Sequence, residues 1–268
     1  MTKVLYNRHE CMILDGINTP FRILHISDVH FSRHTSHEQN QLWIAEILRK
    51  ANSCTPIDVI AVTGDLISRC VNEYSIPDAL ALLTGLKQIA PVIYSLGNHE
   101  KDFPEAVLTD ALSKFRNSGV HVLDNSSVSM QNIQFTGLTL PQTVYKNPNG
   151  AYFDLDEITL EMLSGCIGKR PEHPCILLAH SPMGLKAYAQ WGADLVLSGH
   201  VHGGAVRIPG IGGLLSPERK FFPKYAKGIY RFDSCVMNVS AGIGKFRLNN
   251  PPELICIDLI PPGKEDIS

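Results

Sequence analysis

The chain has 268 residues, a formal charge of −2, 44% hydrophobic residues and 19% charged residues. That is enough apolar material for a full core and too much for a disordered, collagen-like or mucin-like chain. No apolar run reaches the ~20 residues of a membrane helix. The opening MTKVLYNRHECMILDG lacks the succession of a secretory signal, so a single cytoplasmic domain spanning 1–268 is expected.

Apolar, β-branched runs recur at 21–26, 58–62, 91–96, 175–179 and 194–197, each ending at small or polar residues. They read as strands. Helical spacing fills the intervals between the first four. Residues 38–51 place Leu42, Ala45, Ile47 and Leu48 mostly on one side, residues 77–89 do so with Leu80, Leu83 and Leu86, and 105–115 form a third helix. This alternation predicts βαβ units and an α/β fold with helices covering the sheet. Residues 120–138 read as short strands with Asn and Ser punctuation. Residues 199–228 are rich in Gly and Pro with little regular pattern, and 236–241 and 253–260 read as strands. Two sheets are expected, one mixed and one mainly antiparallel, with a frayed tail at 261–268. The seven cysteines form no CxxC pair and mostly sit in apolar surroundings. They read as reduced, buried thiols of a cytosolic protein.

Eleven histidines are the unusual feature of the composition. Several stand in short polar clusters just after the predicted strands. Asp28 and His30 follow the first, Gly64 and Asp65 the second, and Gly97, Asn98, His99 and Glu100 the third. His180 follows the fourth; Gly199, His200 and His202 follow the fifth. Strand carboxyl ends converge on one rim of an α/β sheet, so these groups meet there. In Asp28-Val29-His30 and His200-Val201-His202 the polar residues are two apart, and in extended chain such residues point the same way. Imidazole with carboxylate and amide oxygen, and no thiolate, suits Mn, Fe, Zn, Co or Ni. Each cluster alone is a weak signal, since Gly-Asp commonly makes a turn; five in order after five strands are not. His25, inside a strand, reads as a core or supporting histidine, and His9, His121 and His173 have no ligand spacing.

The blocks SDVHF, TGDLI, LGNHE, LAHSP and SGHVHGG resemble the five signature blocks of the calcineurin-like metallophosphoesterases. HGGAVRIPGIGGLLSPE, FFPKYAKGIY, SAGIG and RLNNPPE are similar to its YkuE/YaeI-like bacterial branch. The resemblance implies a four-layer αββα fold, a two-sheet β-sandwich flanked by helices. It implies a first metal on Asp28, His30 and His202, a bridging Asp65, and a second metal on Asn98, His180 and His200. His99 would stand beside two divalent ions, with Mn the favoured guess, as proton donor to the leaving group. Many relatives carry an acidic residue three positions after the bridging Asp; here it is Ser68, which leaves Glu100 as a candidate to orient His99.

Between 199 and 250, eight Lys and Arg stand against Glu218 and Asp233 alone. Directly after two expected ligands, this basic run suits a phosphorylated substrate, with Arg207 and Lys220 as candidate contacts. The same stretch carries Ile208, Leu214, Phe221 and Phe222, which read as packing or as a cleft for an amphipathic substrate and peripheral membrane contact. Arg33, His34 and His37, in loop 31–37, read as solvated surface or as the opposite lip. Nucleic acid is weakly supported, since no basic helix or aromatic sheet face is visible. The leading expectation is a metal-dependent phosphodiesterase. The alternatives are a pyrophosphatase acting on a nucleotide-linked lipid such as a UDP-diacylglucosamine, and a non-catalytic metal- or phosphate-binding scaffold. Retention of all seven ligands disfavours the scaffold.

Overall fold

Strands buried on both faces divide their side chains between two cores, and the computed structural model shows this division throughout. It describes residues 4–170, 174–204, 206–208, 212–215, 224–244 and 250–263. In chain order the elements are β1 (Tyr6–Ile13), β2 (Phe21–Ile26), α1 (His37–Asn52), β3 (Val59–Thr63), α2 (Ser75–Lys87), β4 (Val92–Ser95) and α3 (Glu105–Asn117). There follow β5 (His121–Leu123), β6 (Ser126–Met130), β7 (Ile133–Leu138), α4 (Leu160–Ile167), β8 (Cys175–Ala179), α5 (Leu185–Trp191) and β9 (Leu195–Ser198). The last are β10 (Val206–Ile208), β11 (Gly212–Leu215), β12 (Gly228–Phe232), β13 (Cys235–Val239) and β14 (Glu253–Ile260).

Two six-stranded sheets run in the orders β1-β14-β2-β3-β4-β5 and β12-β13-β9-β8-β7-β6. Between them lie Phe21, Ile23, Val59, Ala61, Ile176, Leu178, Leu195, Leu197, Ile255 and Ile257. The alternate residues of the first sheet, Leu24, Ile26, Ile60, Val62 and Leu254, pack instead under α1, α2 and α3. Those of the second, Cys175, Leu177, Ala179 and Val196, pack under α4 and α5. The period-two split of each apolar run therefore makes the four layers α, β, β, α.

Both sheets are mixed, which corrects the expectation of a mainly antiparallel second sheet. Three of its five pairings, β7 with β8, β8 with β9 and β9 with β13, are parallel. The crossovers from β7 to β8 and from β8 to β9 carry α4 and α5, of eight and seven residues, too short to show a helical stripe. The buried side of α1 is also shifted: Asn40, Ile44, Ile47 and Ala51 face inward, whereas Leu42 is 74% exposed.

Cys54, after α1, and Cys256, on β14, form a disulfide with Cα atoms 6.6 Å apart. This corrects the reading of seven reduced, buried thiols. Of the rest, Cys175 and Cys235 are buried, Cys70 and Cys166 half-buried, and Cys11 exposed. Cysteine usage thus gives no support to a reducing compartment. Among the described residues no helix is long and apolar enough to cross a membrane. Most of the tail expected to fray, 264–268, lies outside the described residues.

Candidate metal centre

The parallel strands β2, β3 and β4 of one sheet and β8 and β9 of the other end on the same edge of the sandwich. Asp28, His30, Asp65, Asn98, His99, His180, His200 and His202 stand just beyond those ends, and all are buried, none more than 7% exposed. The structure brings their ligating atoms into three overlapping groups: Asp28 with His30 and His202, Asp65 with His180 and His200, and His30 with Asp65 and His99. Within each, the atoms lie within 4.8 Å of one another.

The backbone achieves this differently from the extended chain expected. Asp28, His30, Asp65, His200 and His202 have φ of 54°, 59°, 49°, 70° and 53°, the left-handed region that costs a non-glycine residue about 1–3 kcal/mol. The intervening Val29 and Val201 are buried, at 4% and 2% exposure. In each triplet a core valine thus stands between two strained polar residues. Surrounding bonds hold the strain in place: Asp28 N–H donates to Gly64 O (3.1 Å) and His30 N–H to Asp65 O (3.0 Å). Gly97 and Gly199 serve close approach, because a Cβ at Gly97 would collide with Asp65 and one at Gly199 with Ser27 and Asp28.

Each carboxylate has one oxygen turned to imidazoles, and Asp28 Oδ1 shares the His200 N–H (3.2 Å) as well. Asp65 Oδ1 accepts from His99 N–H (2.9 Å). Its Oδ2 faces His180 Nε2 (3.2 Å), His30 Nε2 (3.6 Å) and His99 Nε2 (3.8 Å). Asp28 Oδ2 accepts from Ser27 Oγ (2.7 Å) and His200 N–H (3.1 Å). Its Oδ1 lies 3.7 Å from both His30 and His202. Burial works against both anions, but the surrounding histidines outweigh it and hold both carboxyls below their ordinary range. His180 Nδ1–H donates to Thr63 O (2.7 Å), so Nε2 is the atom aimed at Asp65. Asn98 Oδ1 is buried without a hydrogen-bond partner. A buried amide oxygen that no donor satisfies, imidazole nitrogens and carboxylate oxygens on one cavity fit divalent transition ions.

His180 sets a pH dependence. Burial lowers its pKa, but Asp65 and Asp28 prevail and raise it to about 9 in the metal-free protein. A metal held by His180 would take the neutral ring, so binding would release this proton. Apparent metal affinity is therefore expected to rise with pH up to about 9. Calorimetry in buffers of different ionisation enthalpy checks the proton release; affinity flat between pH 6 and roughly 9 would contradict it.

His99 Nδ1 accepts from Arg69 N–H (3.1 Å), with Ser68 Oγ at 3.4 Å. These two, not Glu100, orient the ring. Glu100, 1% exposed, accepts instead from Asp65 N–H, Gly97 N–H and Ile67 N–H, each at 3.0 Å. It fastens the Asp65 turn to the turn that carries Asn98 and His99. Burial and Asp65 push its pKa up to about 7. Glu100→Ala strands three buried donors and is expected to cost roughly 3 kcal/mol or more. Urea unfolding of the metal-free protein measures this; a cost under about 1 kcal/mol would show that the clamp is dispensable.

The cavity above these groups, about 340 Å³, is also lined by His34, Arg69, Tyr145 and Tyr152. Sequence reasoning missed Arg69, although it follows the TGDLIS block. Its guanidinium lies 3.5 Å from both His99 Nε2 and Asp102 Oδ2. It also missed Tyr145, whose ring packs 5.0 Å from His200 in a stretch without any motif. His25 is a core residue, 2.7 Å from Thr63 Oγ1, and burial followed by Arg8 lowers it to about 3. Arg207 stands on β10, but its side chain and all of Lys220 lie outside the described residues. Two other members of the basic run have partners near at hand: Lys227 pairs with Glu253, and Lys224 lies over the Tyr225 ring at 5.0 Å.

Residues 21–204 match the calcineurin-like phosphoesterase family. The chain is 26% identical to phosphodiesterase YaeI of Escherichia coli strain K12, across 94% of this chain and 87% of that protein. It is 25% identical to the UDP-2,3-diacylglucosamine pyrophosphatase LpxG of Chlamydia trachomatis, across 88% and 82%. The crystal structure of TT1561 from Thermus thermophilus shares the fold at a TM-score of 0.51 and 14% identity, across 84% of this chain and 90% of that one.

Proposed function

The chain belongs to the calcineurin-like phosphoesterase family, and from that membership we propose that it is a two-ion phosphodiesterase centred on Asp65. The supporting observation is one atom. Asp65 Oδ2 faces His30 on one side and His180 on the other, so one carboxylate is shared by the group with His180 and His200 and the group with His30 and His99, and through His30 it adjoins Asp28 and His202. Asp28, His30 and His202 would hold the first ion; Asn98, His180 and His200 the second. Divalent ions held by these residues would supply Lewis-acid chemistry there, lowering the pKa of an attacking water and offsetting charge on the phosphoryl oxygens.

The chain's own groups supply the rest. Because Nδ1 of His99 accepts from Arg69 N–H, a neutral ring would carry its proton on Nε2, and the Arg69 guanidinium, 3.5 Å from Nε2, would turn to the phosphoryl oxygens when substrate binds. Nε2–H is placed to donate to the leaving oxygen as the ester bond breaks. The Arg69 guanidinium, anchored on Asp102, adds a cation for phosphoryl oxygens.

A second reading, hydrolysis of a pyrophosphate in a nucleotide-linked lipid, draws on the similarity to the chlamydial pyrophosphatase. A panel of mono-, di- and pyrophosphate substrates with Mn, Fe, Zn, Co and Ni separates the readings. Fastest turnover is expected on diesters. Activity on a micellar nucleotide-linked lipid, without activity on a soluble aryl diester, would replace the first reading by the second.

A further inference from the structure

A second cavity of about 370 Å³, the size of a small-molecule site, adjoins the metal centre through His34, which lines both. Its walls are loop 33–38 and residues 72–74. These two segments are joined to each other and to the reaction site. Phe31 and Ile67 form a parallel bridge, and Arg33 N–H donates to Cys70 O at 2.8 Å. Residues 68 and 69 contact the His99 ring, and the same strip ends at Asn72 in the second cavity. The cavity therefore lies on the His99 side, where the leaving group departs.

Its side chains form a distinct chemical surface. The His37 and Tyr74 rings pack against each other with centroids 4.9 Å apart and planes tilted by 31°. His37 Nδ1 lies 2.7 Å from Oδ1 of the fully buried Asp78. Asp78 is itself bound by Asn40 Nδ2 (2.7 Å) and Gln41 Nε2 (2.9 Å). Yet Tyr74 remains 42% exposed and the His37 side chain 41%, so the packed pair is still open. Asn72 Oδ1 accepts from Tyr74 N–H (3.1 Å) and Ser75 Oγ (2.9 Å), which leaves its NH2 as a donor for a ligand. Glu38 supplies an acceptor and Arg33 an exposed cation.

An open Tyr74 ring backed by His37, beside one donor and one acceptor, matches a planar ring with both kinds of group on its edge. We propose that this cavity binds the nucleobase of a nucleoside on the leaving-group side of the substrate. An alkyl or acyl group there would strip water from Arg33, Glu38 and Asn72 without replacing it. The proposal rests on the reading that the Asp65 centre binds phosphoesters, and it narrows the substrates to nucleotide derivatives.

Equilibrium binding of AMP, UMP and ribose 5-phosphate to the Mn-loaded protein tests it. The three share a sugar phosphate and differ in the base. The two nucleotides are expected to bind about tenfold tighter than ribose 5-phosphate, within the range a stacked base contributes. Tyr74→Ala is expected to close that gap. Tyr6→Ala, at an exposed tyrosine on β1, is expected to keep it. Equal binding of all three ligands, or a gap that survives Tyr74→Ala, would overturn the proposal. Failure of the underlying reading looks different: the wild-type protein would hydrolyse no aryl diester and bind ribose 5-phosphate no better with Mn than without it.

Discussion

Asp65→Asn is expected to lower turnover by about a thousandfold or more and to reduce bound metal below two ions per chain. The substitution is nearly isosteric. The amide oxygen can still accept from His99 N–H, as Asp65 Oδ1 does at 2.9 Å, so the turn can persist. What is lost is the charge on the second oxygen, which faces both His30 and His180. An NH2 group there points donors at nitrogens meant for a cation. His180 also loses the nearest anion that raises its pKa, so its proton affinity falls along with its metal affinity. Elemental analysis and kcat measured together check this. An Asp65→Asn variant with two ions and more than about a tenth of wild-type turnover would remove Asp65 from the centre of the account.

His99→Ala separates chemistry from binding. Metal content is expected to match the wild type, because the atoms of the two proposed ion sites are left in place. Turnover is expected to fall by about 10²–10⁴, the contribution of a positioned general acid, and to fall most for alkyl leaving groups. An aryl oxygen departs with less help, so its loss should be the smaller one. Ser68→Ala should stay within about tenfold of wild type, since the Arg69 backbone N–H, at 3.1 Å from Nδ1, remains in place. If His99→Ala hydrolyses an alkyl diester at the wild-type rate, the proton-donor role is wrong.

The apolar strands were legible because burial on both faces leaves continuous runs such as CILLA. The polar clusters were legible because each directly follows such a run. β1 was not, because it is an edge strand that exposes Tyr6 and Ile13 and pairs with β14 from the far end of the chain. No local pattern reports such a partner. The left-handed backbone of Asp28, His30, Asp65, His200 and His202 was equally hidden. Side-chain type predicted convergence, but only the packing of Val29 and Val201 and the bonds from neighbouring turns hold five strained residues at once. The partner that orients His99, left open with Glu100 as a candidate, was hidden for a related reason. A backbone N–H does the work expected of an acidic side chain, and backbone donors leave no mark in a sequence. Glu100 showed as part of a motif, but its three backbone partners come from turns that only the fold brings together.

The most direct test of the central claim is the metal content of the wild-type chain at saturation, measured alongside hydrolysis of an aryl diester. Native mass spectrometry after loading with Mn is expected to give two ions per chain, and diesterase activity is expected to appear as the second ion binds. Fewer than two ions at saturation, with no hydrolysis in Mn, would contradict the account and leave a phosphoesterase fold that serves as a scaffold.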